Sequence, residues 1–373
     1  MDIGAPVRTL FVGSSVEYWS NLTAEFSKGK GGEGAALFTE TVLHSLAQTC
    51  GIACIPHSAI TASNPLGEAT PFVGGYGELK IGCTVNGTVP LVYKEFNSKH
   101  YQRTSKRFQE CAREMYMLNL ATRAAPAYVV PPHNYGVVNL EQRRKAPFLL
   151  FMDHGISLHD FLRKPAIPMD LECKRQIGLR MVRGLKELHA CGIAHGDLRA
   201  ANLVLSPIRP ASLCFIDFGL ARLEPRAATA VDGFSRARWS AGRKHQERGS
   251  VYAPEYGEGG PTAATDMWAV AALLVRLFTR SAKDALLAVP DTETAKRVPA
   301  ILTKRWPNPE VGRKLWGLIL DCGKIAAADR PSAAALAAAF EASRVDPTSG
   351  KLVPYEPPAA EQLKHKFNRR RSF

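Results

Sequence analysis

His195-Gly196-Asp197-Leu198-Arg199-Ala200-Ala201-Asn202 sets an acid, a cation and an amide within eight residues. Moving a phosphoryl group onto a hydroxyl needs a carboxylate that orients the nucleophile and takes its proton. It also needs oxygen ligands for Mg2+ and a cation beside the transferred group. Asp197, Asn202 and Arg199 supply these three. The stretch follows a long amphipathic pattern and precedes a short apolar one, Leu203 to Leu205, so it reads as a loop between helix and strand. Fifteen residues beyond Asn202, Asp217 ends the apolar run Cys214-Phe215-Ile216 and is followed by Phe218-Gly219. An acid at a strand end beside a flexible glycine suits a Mg2+ ligand that swings in and out; a plain strand-ending turn is the alternative.

Working outward, the downstream half reads as mainly helical. Leu171 to Ala190 is amphipathic through Ile177, Met181, Leu185 and Leu188, and further helices are expected at 265–279, 314–322 and 331–342. Upstream, 71–96 reads as strand, glycine turn, strand, turn, strand, with Asn86-Gly87 as the second turn. A helix is expected over 103–122 and strands over 129–152. Residues 35–49 have helical spacing, with no chemical motif in 1–66.

The 373 residues call for two lobes or domains, and 46% hydrophobic residues are enough for a core. A net charge of +14 favours acidic partners without choosing among them, and no nucleic-acid motif stands out. Of the eight cysteines only Cys50 and Cys54 are close, with no second pair to complete a zinc set, so they read as small apolar residues in a reducing compartment. The start Met1-Asp2-Ile3-Gly4 lacks a secretory pattern, and 267–278 is too short to span a bilayer. A soluble intracellular protein is expected.

The segment from His195 to Gly219 resembles the catalytic core of the eukaryotic protein kinases, and Leu198 to Asn202 resembles its tyrosine-kinase version. The resemblance implies Asp197 as catalytic base, Arg199 as stabiliser of transferred charge, and Asn202 and Asp217 as magnesium ligands. It also implies ATP and Mg2+ as cofactors and a protein as substrate. Phe72-Val73-Gly74-Gly75-Tyr76-Gly77-Glu78-Leu79 is similar to the family's glycine-rich hairpin, with Phe72 where the first glycine stands. Lys94 would clamp the α- and β-phosphates, paired with Glu114 rather than its rival Glu110. Met152 aligns as gatekeeper and Asp153-His154-Gly155 as hinge, while Leu79, Val92 and Val204 would sandwich the adenine. Ala253-Pro254-Glu255, Asp266-Met267-Trp268 and Asp329-Arg330-Pro331 match later family blocks, with Glu255 and Arg330 as an ion pair.

The implied fold is α+β and bilobal: a small sheet with one helix over about 67–152, and a larger, mainly helical lobe over about 156–344. Residues 1–66 are then an extension of unknown role, and 345–373 a basic, proline-containing tail. Gly196 departs from the family, because an arginine usually stands there and holds a phosphorylated activation loop. Activity without loop phosphorylation is therefore expected. The run Arg222 to Arg248 is basic and would favour acidic targets. Gly249-Ser250-Val251-Tyr252-Ala253 is similar to the serine/threonine block but two residues shorter, which tips the expectation to Ser/Thr over Tyr or dual specificity. Divergence of this kind is met among viral kinases, which allows a viral source and a host cytoplasm or nucleus as location. A small-molecule or atypical kinase, sharing His-Gly-Asp, and a pseudokinase scaffold are the rival readings. The scaffold reading conflicts with the retention of Lys94, Asp197 and Asp217.

Overall fold

The computed structural model of the chain describes residues 40–62, 72–74, 77–85, 91–96, 104–140, 145–163, 169–206, 212–224, 252–279, 313–345, 348 and 352–354. The elements of the first lobe are α1 (Glu40–Cys50), β1 (Ala53–Cys54), β2 (Ile60–Ala62), β3 (Phe72–Gly74), β4 (Gly77–Val85), β5 (Leu91–Glu95), α2 (Thr104–Ala124), β6 (Pro132–Asn139) and β7 (Lys145–Met152). The second lobe begins with β8 (Ile156–Ser157), α3 (Leu158–Arg163), α4 (Leu171–Ala190), β9 (Ile193–Ala194), β10 (Leu203–Leu205), β11 (Cys214–Phe215) and β12 (Arg222–Leu223). It continues with α5 (Tyr256–Gly259), α6 (Ala263–Thr279), α7 (Arg313–Asp321), α8 (Ala333–Glu341), β13 (Ser343–Val345) and β14 (Leu352–Pro354). This is the bilobal α+β arrangement that the sequence implies.

The first-lobe sheet runs β1-β6-β7-β5-β4-β2, with β3 also paired to β4. Strand β5 shows how it acquires two unlike faces. Leu91, Tyr93 and Glu95 are buried on one side, while Val92 and Lys94 are half-buried on the other, as the two-residue period requires. The Tyr93 hydroxyl donates to buried Glu95 at 2.8 Å. The Asn86-Gly87 turn lies outside the described residues.

Residues 40–62, read from sequence only as an extension with one helix, are built into this lobe. Helix α1 buries Leu43, Leu46 and Ala47 in the main core and packs on α2. The chain then adds β1 parallel to β6 at one edge of the sheet and β2 antiparallel to β4 at the other. Between these edges it crosses the sheet face opposite Lys94. There His57 sits edge-on to Tyr93 and to Phe148, with both ring centroids at 5.8 Å. Ile55 donates its N–H to Tyr135 O at 2.9 Å. Gly136 makes room for this crossing, since a Cβ there would lie 2.4 Å from Ile55 O.

In the second lobe α4 is the central post. Its first turn is capped by Asp170, which accepts from Cys173 N, and it buries Ile177, Met181, Val182, Leu185 and Leu188 against α6 and α8. Helix α8 begins at Ser332, whose hydroxyl accepts from Ala335 N. The sequence places a tail beyond 345, whereas β13 and β14 pair as a short ribbon.

None of the eight cysteines, all among the described residues, is joined in a disulfide. Cys83, Cys111, Cys214 and Cys322 are buried, while Cys54 is exposed. Burial pushes the Cys50 thiol up to about 11, against the opposing charge of Arg123, and the Cys322 thiol up to about 12. Brief alkylation of the native protein at pH 8 is therefore expected to label Cys54 first, with Cys83, Cys111, Cys214 and Cys322 reacting after denaturation. Peptide mapping by mass spectrometry reads the order. No helix among the described residues is long and apolar enough to cross a membrane.

Candidate active site

The site is assembled on a buried acid. Asp266, in the first turn of α6, accepts the His195 N–H at Oδ2 (2.7 Å) and the Gly196 N–H at Oδ1 (3.0 Å). His189 Nε2 also bonds Oδ2 at 3.0 Å. An acid in the interior is tolerable only when its oxygens are this well supplied with donors. The backbone around Gly196 is tight. Gly196 has φ +77, and a Cβ there would lie 2.6 Å from Leu220 O and 2.8 Å from Pro261 Cβ. Glycine at the position where the family carries arginine thus matches the local backbone.

The His195 ring joins the two acidic segments. It accepts the Asp197 N–H at Nδ1 (3.2 Å) and donates from Nε2 to Ile216 O (3.1 Å), which fixes its tautomer. Asn202 adds a second link. Its Nδ2 donates to Asp197 O and to Asp197 Oδ2, both at 2.8 Å, and its main-chain carbonyl accepts the Ile216 N–H at 3.0 Å. Asp217 comes next with φ 63, the one non-glycine residue with positive φ among the described residues. Aspartate tolerates this left-handed conformation better than most residues, and such strain gathers at functional sites.

Lys94 reaches this position from β5. Its Nζ donates to Glu114 Oε1 (2.6 Å) and Oε2 (2.8 Å) on α2, and to Asp217 Oδ1 (3.1 Å). The side chains of Lys94, Glu114 and Asp217 are 17%, 4% and 38% exposed. Burial alone would favour a neutral amine, but the two carboxylates outweigh it and hold the Lys94 pKa above its usual range. Glu114, not Glu110, is therefore the acid beside Lys94.

Most of the remaining sequence-derived positions lie on strands paired within these sheets. Val92 neighbours Lys94 on β5, and Leu79 on β4 is in register with Lys94. Met152 ends β7 opposite Leu91, and Asp153 accepts the Gly155 N–H at 2.8 Å. Val204 on β10 pairs with Cys214 and Ser157. In the glycine hairpin Phe72 pairs with Leu79, Val73 with Glu78 and Gly74 with Gly77, while Gly75 and Tyr76 lie outside the described residues. Arg199 is exposed just ahead of the short turn Ala200–Asn202.

Several contacts were not anticipated from sequence. Arg113 on α2 donates to the carbonyls of Gly219 and, at 2.7 Å, of Ala221, tying the helix of Glu114 to the segment after Asp217. Tyr252 donates from its hydroxyl to Asp197 Oδ1 at 2.7 Å, and Tyr256 donates to Gly196 O at 2.6 Å. Tyr252 stands in the shortened block directly before Ala253, and nothing in that block marks Asp197 as its partner. Arg330 donates to Glu255 Oε1 (2.5 Å) and Oε2 (3.0 Å), as expected, and also to the carbonyls of Ala264, Lys324 and Ile325.

The sequence model of the family described as protein tyrosine and serine/threonine kinase matches residues 73–340. Cyclin-dependent kinase F-3 of Oryza sativa subsp. japonica is 30% identical over 36% of this chain and 28% of its own length. Mitogen-activated protein kinase kinase kinase nsy-1 of Caenorhabditis elegans is 28% identical over 50% of this chain and 12% of its own length. The probable serine/threonine-protein kinase DDB_G0281745 of Dictyostelium discoideum is 32% identical over 49% of this chain and 28% of its own length. The aligned parts thus span less than a third of each of these relatives. With blocks from the glycine hairpin to α8 in family order, the chain belongs to the protein tyrosine and serine/threonine kinase family.

Proposed function

We propose that the chain transfers the γ-phosphate of ATP, with Mg2+, to serine or threonine hydroxyls of protein substrates. The observation that carries this reading is the convergence of Lys94, Glu114 and Asp217 within 3.1 Å contacts, tied through His195 and Asn202 to Asp197. The donor set fits the cofactor. Asp217 and Asn202 offer a carboxylate and an amide oxygen, the hard ligands Mg2+ takes when substrate phosphates complete its shell. Bound Mg-ATP supplies the phosphoryl group and the charge that neutralises it.

The protein's own groups have separate tasks. Lys94 would hold the α- and β-phosphates. Leu79, Val92, Met152 and Val204 would enclose the adenine, the segment from Asp153 would bond its edge, and the glycine hairpin would supply N–H groups to the phosphates. Asp197 accepts the proton of the acceptor hydroxyl, and Arg199 offsets charge on the transferred group. The serine/threonine preference follows the names of the relatives and the block before Ala253. The basic run Arg222 to Arg248, of which residues 225–248 lie outside the described residues, favours acidic targets.

The test is turnover of casein and myelin basic protein with Mg-ATP, set against small alcohols, followed by phosphosite mapping. Protein phosphoserine or phosphothreonine is expected; phosphate on small alcohols alone overturns the reading. The variant with Thr229, Ser235, Ser240 and Ser250 all changed to alanine should keep most of its activity, and near-total loss would refute phosphate-independent activity.

A further inference from the structure

The contact between Tyr252 and Asp197 bears on how the acid is held. A carboxylate turns readily about its last torsion, which has a broad two-fold profile. Asn202 Nδ2 donates to Oδ2 at 2.8 Å and the Tyr252 hydroxyl donates to Oδ1 at 2.7 Å, so each oxygen has its own donor. Both donors are themselves anchored. Asn202 also bonds Asp197 O at 2.8 Å, and the Tyr252 ring lies 4.7 Å from that of Tyr256 at 34°. Tyr256 in turn donates to Gly196 O at 2.6 Å, and it forms a separate buried cluster with Leu220, Ala253 and Trp268 against which Tyr252 packs. Burial, followed by the charge of Asp197, pushes the Tyr252 phenol well above its usual range, so it remains a donor at physiological pH.

We propose that Tyr252 is a positioning residue for phosphoryl transfer: its hydroxyl fixes the orientation of the Asp197 carboxylate and fastens the end of the activation segment to the catalytic loop. The inference rests on the reading of Asp197 as catalytic base. It does not require the phenol to block that base. A carboxylate offers about four lone-pair sites, and Tyr252 and Asn202 take one on each oxygen, leaving Oδ1 able to accept a substrate hydroxyl. The fastening uses neither a phosphate nor a side chain at Gly196. A residue that holds a reacting group in place acts on the chemical step more than on nucleotide binding.

Steady-state kinetics of wild type, Asp197→Asn and Tyr252→Phe, with Mg-ATP and myelin basic protein, tests this. Phenylalanine keeps the ring packing and removes the hydroxyl alone. The expected result is a kcat about 10- to 100-fold below wild type in Tyr252→Phe, with KM for ATP and the melting shift given by Mg-ADP unchanged. A kcat equal to or above that of wild type overturns the inference, the latter because it would make the phenol a block. A loss of kcat that travels with a lower Tm and a lost Mg-ADP shift also overturns it, because Tyr252 would then be only structural. If wild type and Asp197→Asn turn over alike, the catalytic reading itself falls. An active wild type beside an inactive Asp197→Asn and an unaffected Tyr252→Phe removes this inference alone.

Discussion

Asp197→Asn is expected to lower the rate of protein phosphorylation by about 10²- to 10⁴-fold, the usual contribution of a positioned general base. The substitution keeps the shape of the side chain and changes its chemistry. Asp197 now receives donors on both oxygens, from Tyr252 and from Asn202. An amide can accept only one of them and must turn its own NH2 towards the other. The acceptor hydroxyl then meets a group that cannot take its proton. Nucleotide binding should survive, because the contacts of Lys94 with Glu114 and Asp217 lie outside the substitution. Initial rates with labelled ATP, alongside the Mg-ADP melting shift, separate the two effects. An Asp197→Asn protein as fast as wild type would remove Asp197 from the chemistry.

Arg330→Ala should produce the largest loss of stability. The Arg330 side chain is 1% exposed and Glu255 34%. The guanidinium serves both Glu255 oxygens and the carbonyls of Ala264, Lys324 and Ile325, and it lies 5.1 Å from the Trp268 ring centroid. Removing one partner of a buried ion pair costs about 3–5 kcal/mol because the other is left uncompensated. Glu255 is partly solvated, which reduces its share, but the three carbonyls also lose their donor. At about 2–4 °C per kcal/mol for a domain of this size, Tm should fall by roughly 6–15 °C. Glu255→Gln keeps those carbonyl contacts and should cost less. A thermal melt of the two variants checks the order, and a change below about 2 °C for Arg330→Ala would show the ion pair to be dispensable.

What could be read in advance followed from how local each cause is. The 171–190 helix carries its apolar stripe and its Asp170 cap within one stretch, so its bounds were legible. The segments of Asp197 and Asp217 announce themselves by residue type and spacing, whereas choosing Glu114 over Glu110, one helical turn away, needed the family resemblance, which places Leu118 at an apolar packing position. The crossing at 53–62 was hidden for the opposite reason. Strands of two and three residues have no periodicity to detect, and β1 pairs with Asn134 and Tyr135, eighty-one residues away. Tyr252 and Arg113 are invisible for a similar reason, since their partners lie 55 and about 106 residues distant and nothing in their neighbourhood marks them. Asp266 was placed on its helix, but its role as acceptor for two backbone N–H groups of the 195–196 turn is a property of the packed lobe.

The crossing segment has a consequence for where the folding unit begins. Family similarity starts at residue 73, yet β1 and β2 occupy the two rims of the sheet, and α1 packs its buried face on α2. A protein trimmed to the start of the family match would present two raw strand borders and an uncovered apolar flank, the surfaces through which polypeptides recruit copies of themselves. Self-association on trimming is thus written into the geometry of these two dozen residues, and they belong to the body of the lobe as much as its longer strands do.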